Sequence, residues 1–383
     1  MQVAISQPGI IFGGRIKVLL GLTEAMNRRG IEPVWLTKHM PGEVEVIKAK
    51  YKTAAEFSVH VLPEPKFWFP DEWSLVLFNK KVSSWCKTNG IDILFNSSNT
   101  VKGFSGFPRM VSYVHYPREA RALSSLGDIH TPGSEPDFLS KRYIYKRLTR
   151  LFYRLGDVAR NHCILCNSEF TKEAFFDVYG DLDLQSPVEV IYPFCSQNEI
   201  RSSGRSMPAV ATLGRICSAK RQLEQVKIGA ELDDLKLWIM GHASETNPYY
   251  IRVQEAAKQA GDHVEVFANL PYDTVQENLR QCRYFLHTNI NEPFGITTVE
   301  AILNGSLPIV HNSGGQKEVV CFDELRYDNL DEIPHILRKL ESSEKSRNAM
   351  LTALQNHVLA NFTQNIFDNK ADDFLARILE PAV

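Results

Sequence analysis

No apolar run in the 383-residue chain approaches the roughly 18 residues that a membrane-spanning helix needs, so no spanning segment is expected. The opening Met1-Gln-Val-Ala-Ile-Ser-Gln-Pro-Gly9 lacks the basic and apolar regions of a secretory leader. A cytosol-like compartment is the expectation, with the protein soluble or peripheral on a cytoplasmic membrane face. Strong charge of either sign is missing too. The 43 Lys and Arg stand against 45 Asp and Glu, a formal charge of -2, which removes any global electrostatic case for nucleic acid as a partner. Cysteine is scarce and odd in number, seven in all, which fits reduced thiols better than a disulfide framework. Cys163 and Cys166 form a C-x-x-C in an apolar, strand-like run, and no second such pair exists to complete a zinc knuckle. No resident metal is expected. Internal repeats and low-complexity tracts are also absent.

What is present is enough apolar sequence, 44%, for more than one core, and a length that suits two domains. Short apolar runs at 3–6, 32–37, 59–62, 91–96, 110–114, 163–167 and 188–192 alternate with helix-period stretches such as Ile16–Arg29 and Glu72–Asn89. That alternation predicts a parallel sheet covered on both faces. The pattern lapses into Ser, Arg and Gly between Pro193 and Pro208, which reads as a connection. It then restarts with runs at 209–213, 235–240, 263–268, 284–288 and 307–311, a second parallel sheet. Beyond Leu330 only helical periodicity remains, and a helix-only tail has to pack on something already folded. Two Rossmann-like α/β domains are expected, at 1–195 and 196–362.

The most informative stretch is Asn291-Glu-Pro-Phe-Gly-Ile-Thr-Thr-Val-Glu300, which follows a strand and opens a helix. Seven residues separate Glu292 on the loop from Glu300, two turns along the helix. Gly295, Ile296 and Thr297 place free backbone N–H groups at the helix N-terminus, where phosphate is favoured and glycine permits close approach. A nucleotide sugar needs such a set: an acceptor for sugar hydroxyls, donors for the diphosphate, and a carboxylate for a ribose diol. An ordinary helix start, with Glu300 on a solvated face, is the bland alternative. A second strand, 209–213, runs into Gly214-Arg215-Ile-Cys-Ser-Ala-Lys220. Arg215 and Lys220 thereby come to the carboxyl edge of the sheet, where α/β ligands bind, and would stabilise a departing diphosphate. Two solvated surface cations are the alternative there.

Gly214-Arg215, Lys220, and Glu292 with seven residues between it and Glu300 together resemble the donor site of the retaining glycosyltransferases of family 4, which have the GT-B fold. Pro308-Ile-Val-His-Asn-Ser-Gly-Gly-Gln-Lys-Glu318 extends the similarity to the lipid-linked-oligosaccharide α-1,2-mannosyltransferase group of that family. The resemblance implies two domains facing a cleft, with the last helix, 363–383, returning to the N-terminal domain. It implies Glu300 at the ribose, Glu292 near the C3 region of the sugar, and Arg215 with Lys220 on the diphosphate. It also puts the base near Phe267, Asn269 and Leu270. Retention by front-face attack needs no enzyme nucleophile. The implied donor is GDP-mannose or a UDP-sugar, bound as substrate with no permanent cofactor, and the implied acceptor is a lipid-linked or other glycan. A sugar-nucleotide epimerase and a non-catalytic sugar-nucleotide-binding protein remain the rival readings.

In the N-terminal half, Gly13-Gly14-Arg15 has the place of the family's glycine-rich first loop. G-x-G-x-x-G is absent, and Arg15 stands where the family usually has a small residue. His115, in Val111-Ser-Tyr-Val-His-Tyr-Pro117, ends a strand and is a candidate to bind a donor-sugar hydroxyl; a structural histidine is the alternative. Lys141 to Arg154 carries six cations, no acid, and aromatics at helical spacing. It reads either as a surface for anionic membrane or as a packed helix with a basic face.

Overall fold

The computed structural model describes residues 1–10, 13–40, 42–62, 71–101, 104, 107, 109–117, 120, 163–180, 188–195, 199–200, 207–232 and 234–379. The chain divides into two compact units, Met1–Pro193 with Phe367–Val383, and Phe194–Ile366. Both are α/β with an all-parallel sheet.

The first unit contains strands β1 (Val3–Ser6), β2 (Val34–Thr37), β3 (Ser58–Val61), β4 (Ile93–Asn96), β5 (Met110–Val114), β6 (Cys163–Cys166) and β7 (Val188–Val190), in the order 3-2-1-4-5-6-7. The four residues each of β1 and β4 are fully buried, as expected of central strands covered on both faces. β2 starts at Val34 rather than Glu32, because Pro33 has no N–H to give a ladder and can only lead into it. Ser168 caps the helix Glu169–Tyr179 by accepting the Thr171 N–H at 3.0 Å. The last helix, Gln364–Leu379, buries Phe367, Ala371, Phe374 and Leu375. Arg28 meets Asp372 at 2.9 Å, Arg377 meets Glu189 at 2.7 Å, and Arg109 donates to the Ile378 carbonyl. The tail therefore completes the first unit, as a helix with one apolar face must find a partner.

The second unit contains β8 (Met207–Leu213), β9 (Lys236–Gly241), β10 (Val264–Ala268), β11 (Cys282–His287), β12 (Leu307–His311) and β13 (Arg326–Tyr327), in the order 10-9-8-11-12-13. Chain order reverses between β8 and β11. Their following loops leave in opposite directions and open a crevice at the carboxyl edge, which is where ligands bind in open α/β sheets. Asn247 caps the helix Pro248–Gln259, with proline at its first position where the missing N–H costs nothing. Gln355, on the helix Glu344–Asn361, donates to the Ile302 carbonyl at 3.1 Å and ties that helix behind the β11 connection.

Candidate functional site

Two loops build the site, one after each switch-point strand. The loop after β8 starts at Gly214, whose N–H donates to the Met240 carbonyl at 3.1 Å. The neighbouring strand end approaches so closely that a Cβ on Gly241 would stand 1.9 Å from the Gly214 carbonyl oxygen, so only glycine fits. Gln222 braces this loop: its amide accepts from Cys217 N–H at 3.2 Å and donates to the Arg215 carbonyl at 3.0 Å. Arg215 itself is exposed. Ser218–Lys220 form a 3₁₀ turn, and Arg221 takes a left-handed conformation, φ 57°, before the helix Gln222–Ala230. The Lys220 stem then lies across Gly214, which turns its ammonium toward β11.

The loop after β11 is shaped by its own glycines. Gly314, at φ +76°, packs against the Glu292 backbone; a Cβ there would be 2.4 Å from the Glu292 carbonyl. Gly315 N–H donates to that carbonyl at 2.9 Å, and Asn291 N–H donates to Ser313 Oγ at 2.8 Å. The His-Asn-Ser-Gly-Gly segment therefore works as a clamp that sets where Glu292 stands. Gly295, φ +100°, opens the helix Ile296–Leu303. Its first N–H groups lack intrahelical partners, as at any helix start.

The loops meet through Lys220 and Glu292, whose Nζ and Oε2 are 2.6 Å apart. Asn289 Nδ2 donates to the same oxygen at 2.5 Å, and His287 Nε2 lies 3.8 Å from it. Burial would push the Glu292 carboxyl up, but Lys220, His287 and Asn289 outweigh it and hold the group at about 2. Burial, helped by Lys220 and opposed by Glu292, lowers His287 to about 3, so this imidazole is neutral. Beneath the pair, Gln225 Nε2 donates to Thr288 Oγ1 at 2.6 Å, and Thr288 donates to the Lys220 carbonyl at 2.8 Å. A small pocket is lined there by Leu213, Gly214, Lys220, Gln225, His287 and Thr288.

Glu300 is 7% exposed, on the helix behind Gly295, so the solvated-face reading does not hold for it. Ile296 and Thr297 are half-buried at that helix start. Phe267 stacks edge-on against Trp238, with Leu270 packed on the same cluster. Asn269 sits at φ 58°, and its amide brackets the Ala243 backbone, accepting at 3.1 Å and donating at 2.9 Å. Its side chain shapes the loop.

In the first unit, the Tyr51 hydroxyl accepts the Gly13 N–H at 2.6 Å and donates to the Gly13 carbonyl at 3.0 Å; Gly14 begins the helix Gly14–Asn27. His115 follows β5. Its N–H donates to Asn99 Oδ1 at 2.9 Å, and its Nε2 is 3.4 Å from Ser97 Oγ. Burial and the Arg15 charge push its pKa well below the usual imidazole value. Lys141 to Arg154 lies outside the described residues. Among the described residues there is no group of three metal-ligating side chains, and no helix long and apolar enough to cross a membrane.

His287, Asn289 and Gln225 were not legible as site residues. The only signal for His287 was a lone polar residue ending the apolar run Tyr284-Phe-Leu-His287, which is as common in a packed core.

Residues 12–196 match the family model described as Glycosyltransferase Family 4, and residues 198–356 match that described as Glycosyl transferases group 1. The GDP-Man:Man(3)GlcNAc(2)-PP-Dol alpha-1,2-mannosyltransferase of Xenopus laevis is 27% identical over 230 residues, 54% of this chain and 46% of that protein. The protein of the same name from Dictyostelium discoideum is 39% identical over 248 residues, 57% of this chain and 49% of that protein. The chain thus spans about half the length of the curated relatives it matches. Among solved structures, HepE of Anabaena in complex with UDP and glucose superposes with a TM-score of 0.70 at 17% identity, covering 98% of this chain and 99% of that one. WaaG, a glycosyltransferase involved in lipopolysaccharide biosynthesis, gives 0.68 at 14% identity, covering 97% and 99%. At such identities these structures speak for the fold. With two parallel-sheet units, this crevice and both family matches, the chain belongs to glycosyltransferase family 4 and has the GT-B fold.

Proposed function

We propose that the chain is a retaining hexosyltransferase that moves mannose from GDP-mannose to a hydroxyl of a lipid-linked or other glycan acceptor. The observation that carries the reading is the Lys220–Glu292 pair at the switch point of the second sheet, beside the helix N-terminus at Gly295. The similarity to proteins named as GDP-mannose-dependent supports the choice of donor.

In this reading Lys220, Arg215 and the N–H groups of Gly295, Ile296 and Thr297 bind the diphosphate, and Glu300 takes the ribose diol. Phe267, Asn269 and Leu270 lie at the base, Asn269 through the loop it braces. Glu292 accepts from a hydroxyl of the sugar. The acceptor oxygen attacks the anomeric carbon on the face from which the β-phosphate oxygen departs. The carbon–phosphate-oxygen bond breaks, and the acceptor proton passes to that oxygen. The diphosphate gains negative charge in this step, and fixed cations with oriented N–H groups stabilise it as it forms. In the first unit, Gly13, Gly14 and His115 are proposed to serve the sugar and the acceptor. Lys141 to Arg154 is proposed, on sequence alone, to meet an anionic membrane surface that carries the acceptor.

Incubation of the purified protein with GDP-mannose, UDP-glucose, UDP-galactose and UDP-N-acetylglucosamine tests this reading. Turnover of GDP-mannose above the others supports it, and preference for a UDP-sugar replaces the donor. An epimerised nucleotide sugar from donor alone, or binding without any turnover, overturns the transferase.

A further inference from the structure

Glu292 is held from one side. Its Oε2 takes Lys220 Nζ at 2.6 Å and Asn289 Nδ2 at 2.5 Å, while among the described residues Oε1 accepts no hydrogen bond. His287 stands by the bonded oxygen with Nε2 at 3.8 Å, beyond hydrogen-bond range. The ring is 4% exposed, and its Nδ1 accepts the Asn289 backbone N–H at 3.4 Å. A neutral imidazole has one proton, and with Nδ1 accepting, that proton is on Nε2, the nitrogen nearest Glu292. The strand end is pinned from behind by Tyr327, whose hydroxyl donates to the His287 carbonyl at 3.1 Å.

The inference rests on the proposed function, in which Lys220 serves the donor diphosphate. A diphosphate carries more charge than one carboxylate and draws the ammonium toward itself, and Oε2 then loses one of its two close donors. We propose that His287 is a positioning residue for Glu292: its Nε2–H takes Oε2 as Lys220 turns to the diphosphate, which keeps Oε1 presented to a hydroxyl of the donor sugar. A movement of about 1 Å brings the pair into hydrogen-bond range. A neutral donor suits this place, because a second cation would compete with Lys220 for the same carboxylate. Lys220 and Glu292 are the charged groups facing the ring, and its low pKa keeps it in the donating, neutral form over the physiological range.

The test uses the full chain, GDP-mannose turnover and calorimetric binding of GDP. His287→Leu removes the donor; His287→Asn keeps a polar group near the Nδ1 position, too short to reach; His287→Gln carries an amide N–H near the Nε2 position. The expected result is a loss of tenfold or more in kcat for the Leu and Asn variants with GDP affinity within twofold of wild type, and recovery to within threefold by Gln. Should His287→Leu fail to fold, the contrast between Gln and Asn decides. Equal turnover in all variants, a parallel fall in GDP affinity, or Gln no better than Asn overturns the role. Wild-type protein that turns over no nucleotide sugar removes the proposed function itself, and this role with it.

Discussion

Replacing His287 by glutamine should flatten the acid side of the stability profile of the second unit. Burial and the Lys220 charge hold the folded imidazole at about 3, against 6.5 in an open chain. Between these limits the unfolded chain binds a proton that the folded chain refuses, so stability falls as pH drops from 6.5 toward 3. The slope approaches ~1.4 kcal/mol per pH unit, and the loss between pH 7 and 5 amounts to about 2 kcal/mol. Glutamine takes up no proton, so this part of the loss vanishes. Glu292 acts in a lower window. Its carboxyl, pushed up by burial but brought to about 2 by Lys220, contributes fully above 4.5 and is lost as pH falls toward 2. His311, lowered by burial and by Arg221, is common to both proteins and cancels in the difference. Hydrogen exchange of amides in β8 and β11 reports the second unit alone and leaves out His115. The wild-type opening free energy should fall by about 2 kcal/mol more than that of the variant between pH 7 and 5. Equal slopes in the two proteins would refute the buried, neutral imidazole.

Glu300→Ala should weaken binding of free GDP as well as of the intact donor, by roughly tenfold to a hundredfold, since charge-assisted hydrogen bonds contribute about 1.5 to 3 kcal/mol; unchanged affinity in calorimetry would take Glu300 out of the site. Arg215→Ala should lower kcat on the order of a hundredfold with a smaller loss in donor binding, and a fall of less than about threefold would take it out of the site. Transfer should survive EDTA, because Arg215, Lys220 and a helix N-terminus are proposed to stabilise the diphosphate. The chain does carry an Asp-x-Asp spacing, Asp181 and Asp183, outside the described residues, and complete loss restored by Mn²⁺ would point there. The protein should sediment with anionic vesicles and not neutral ones, less so above physiological salt; indifference to anionic vesicles at low salt would leave Lys141 to Arg154 as a packed helix.

Alternating apolar runs and helix-period stretches were enough to read both parallel sheets, because that information is local: a strand or a helix is written in a window of about ten residues. The placement of Gly214 and Glu292 on the loops that follow strands, and of Gly295 at a helix start, was legible for the same reason. The partners of those residues were not. Lys220 and Glu292 lie 72 positions apart and meet because β8 and β11 are neighbours in the sheet, an order that no local pattern encodes. That Gly241 and Gly314 must be glycine follows only from neighbouring backbone, which leaves no room for a Cβ at either position. His287 is the clearest case. The local pattern places a histidine at the end of an apolar strand, but its neutral state comes from burial beside Lys220, and the 3.8 Å approach of Glu292 from the clamp that 311–315 puts on the next loop. Periodicity determines which residues form an element, while charge state and distance depend on what the rest of the chain packs around them.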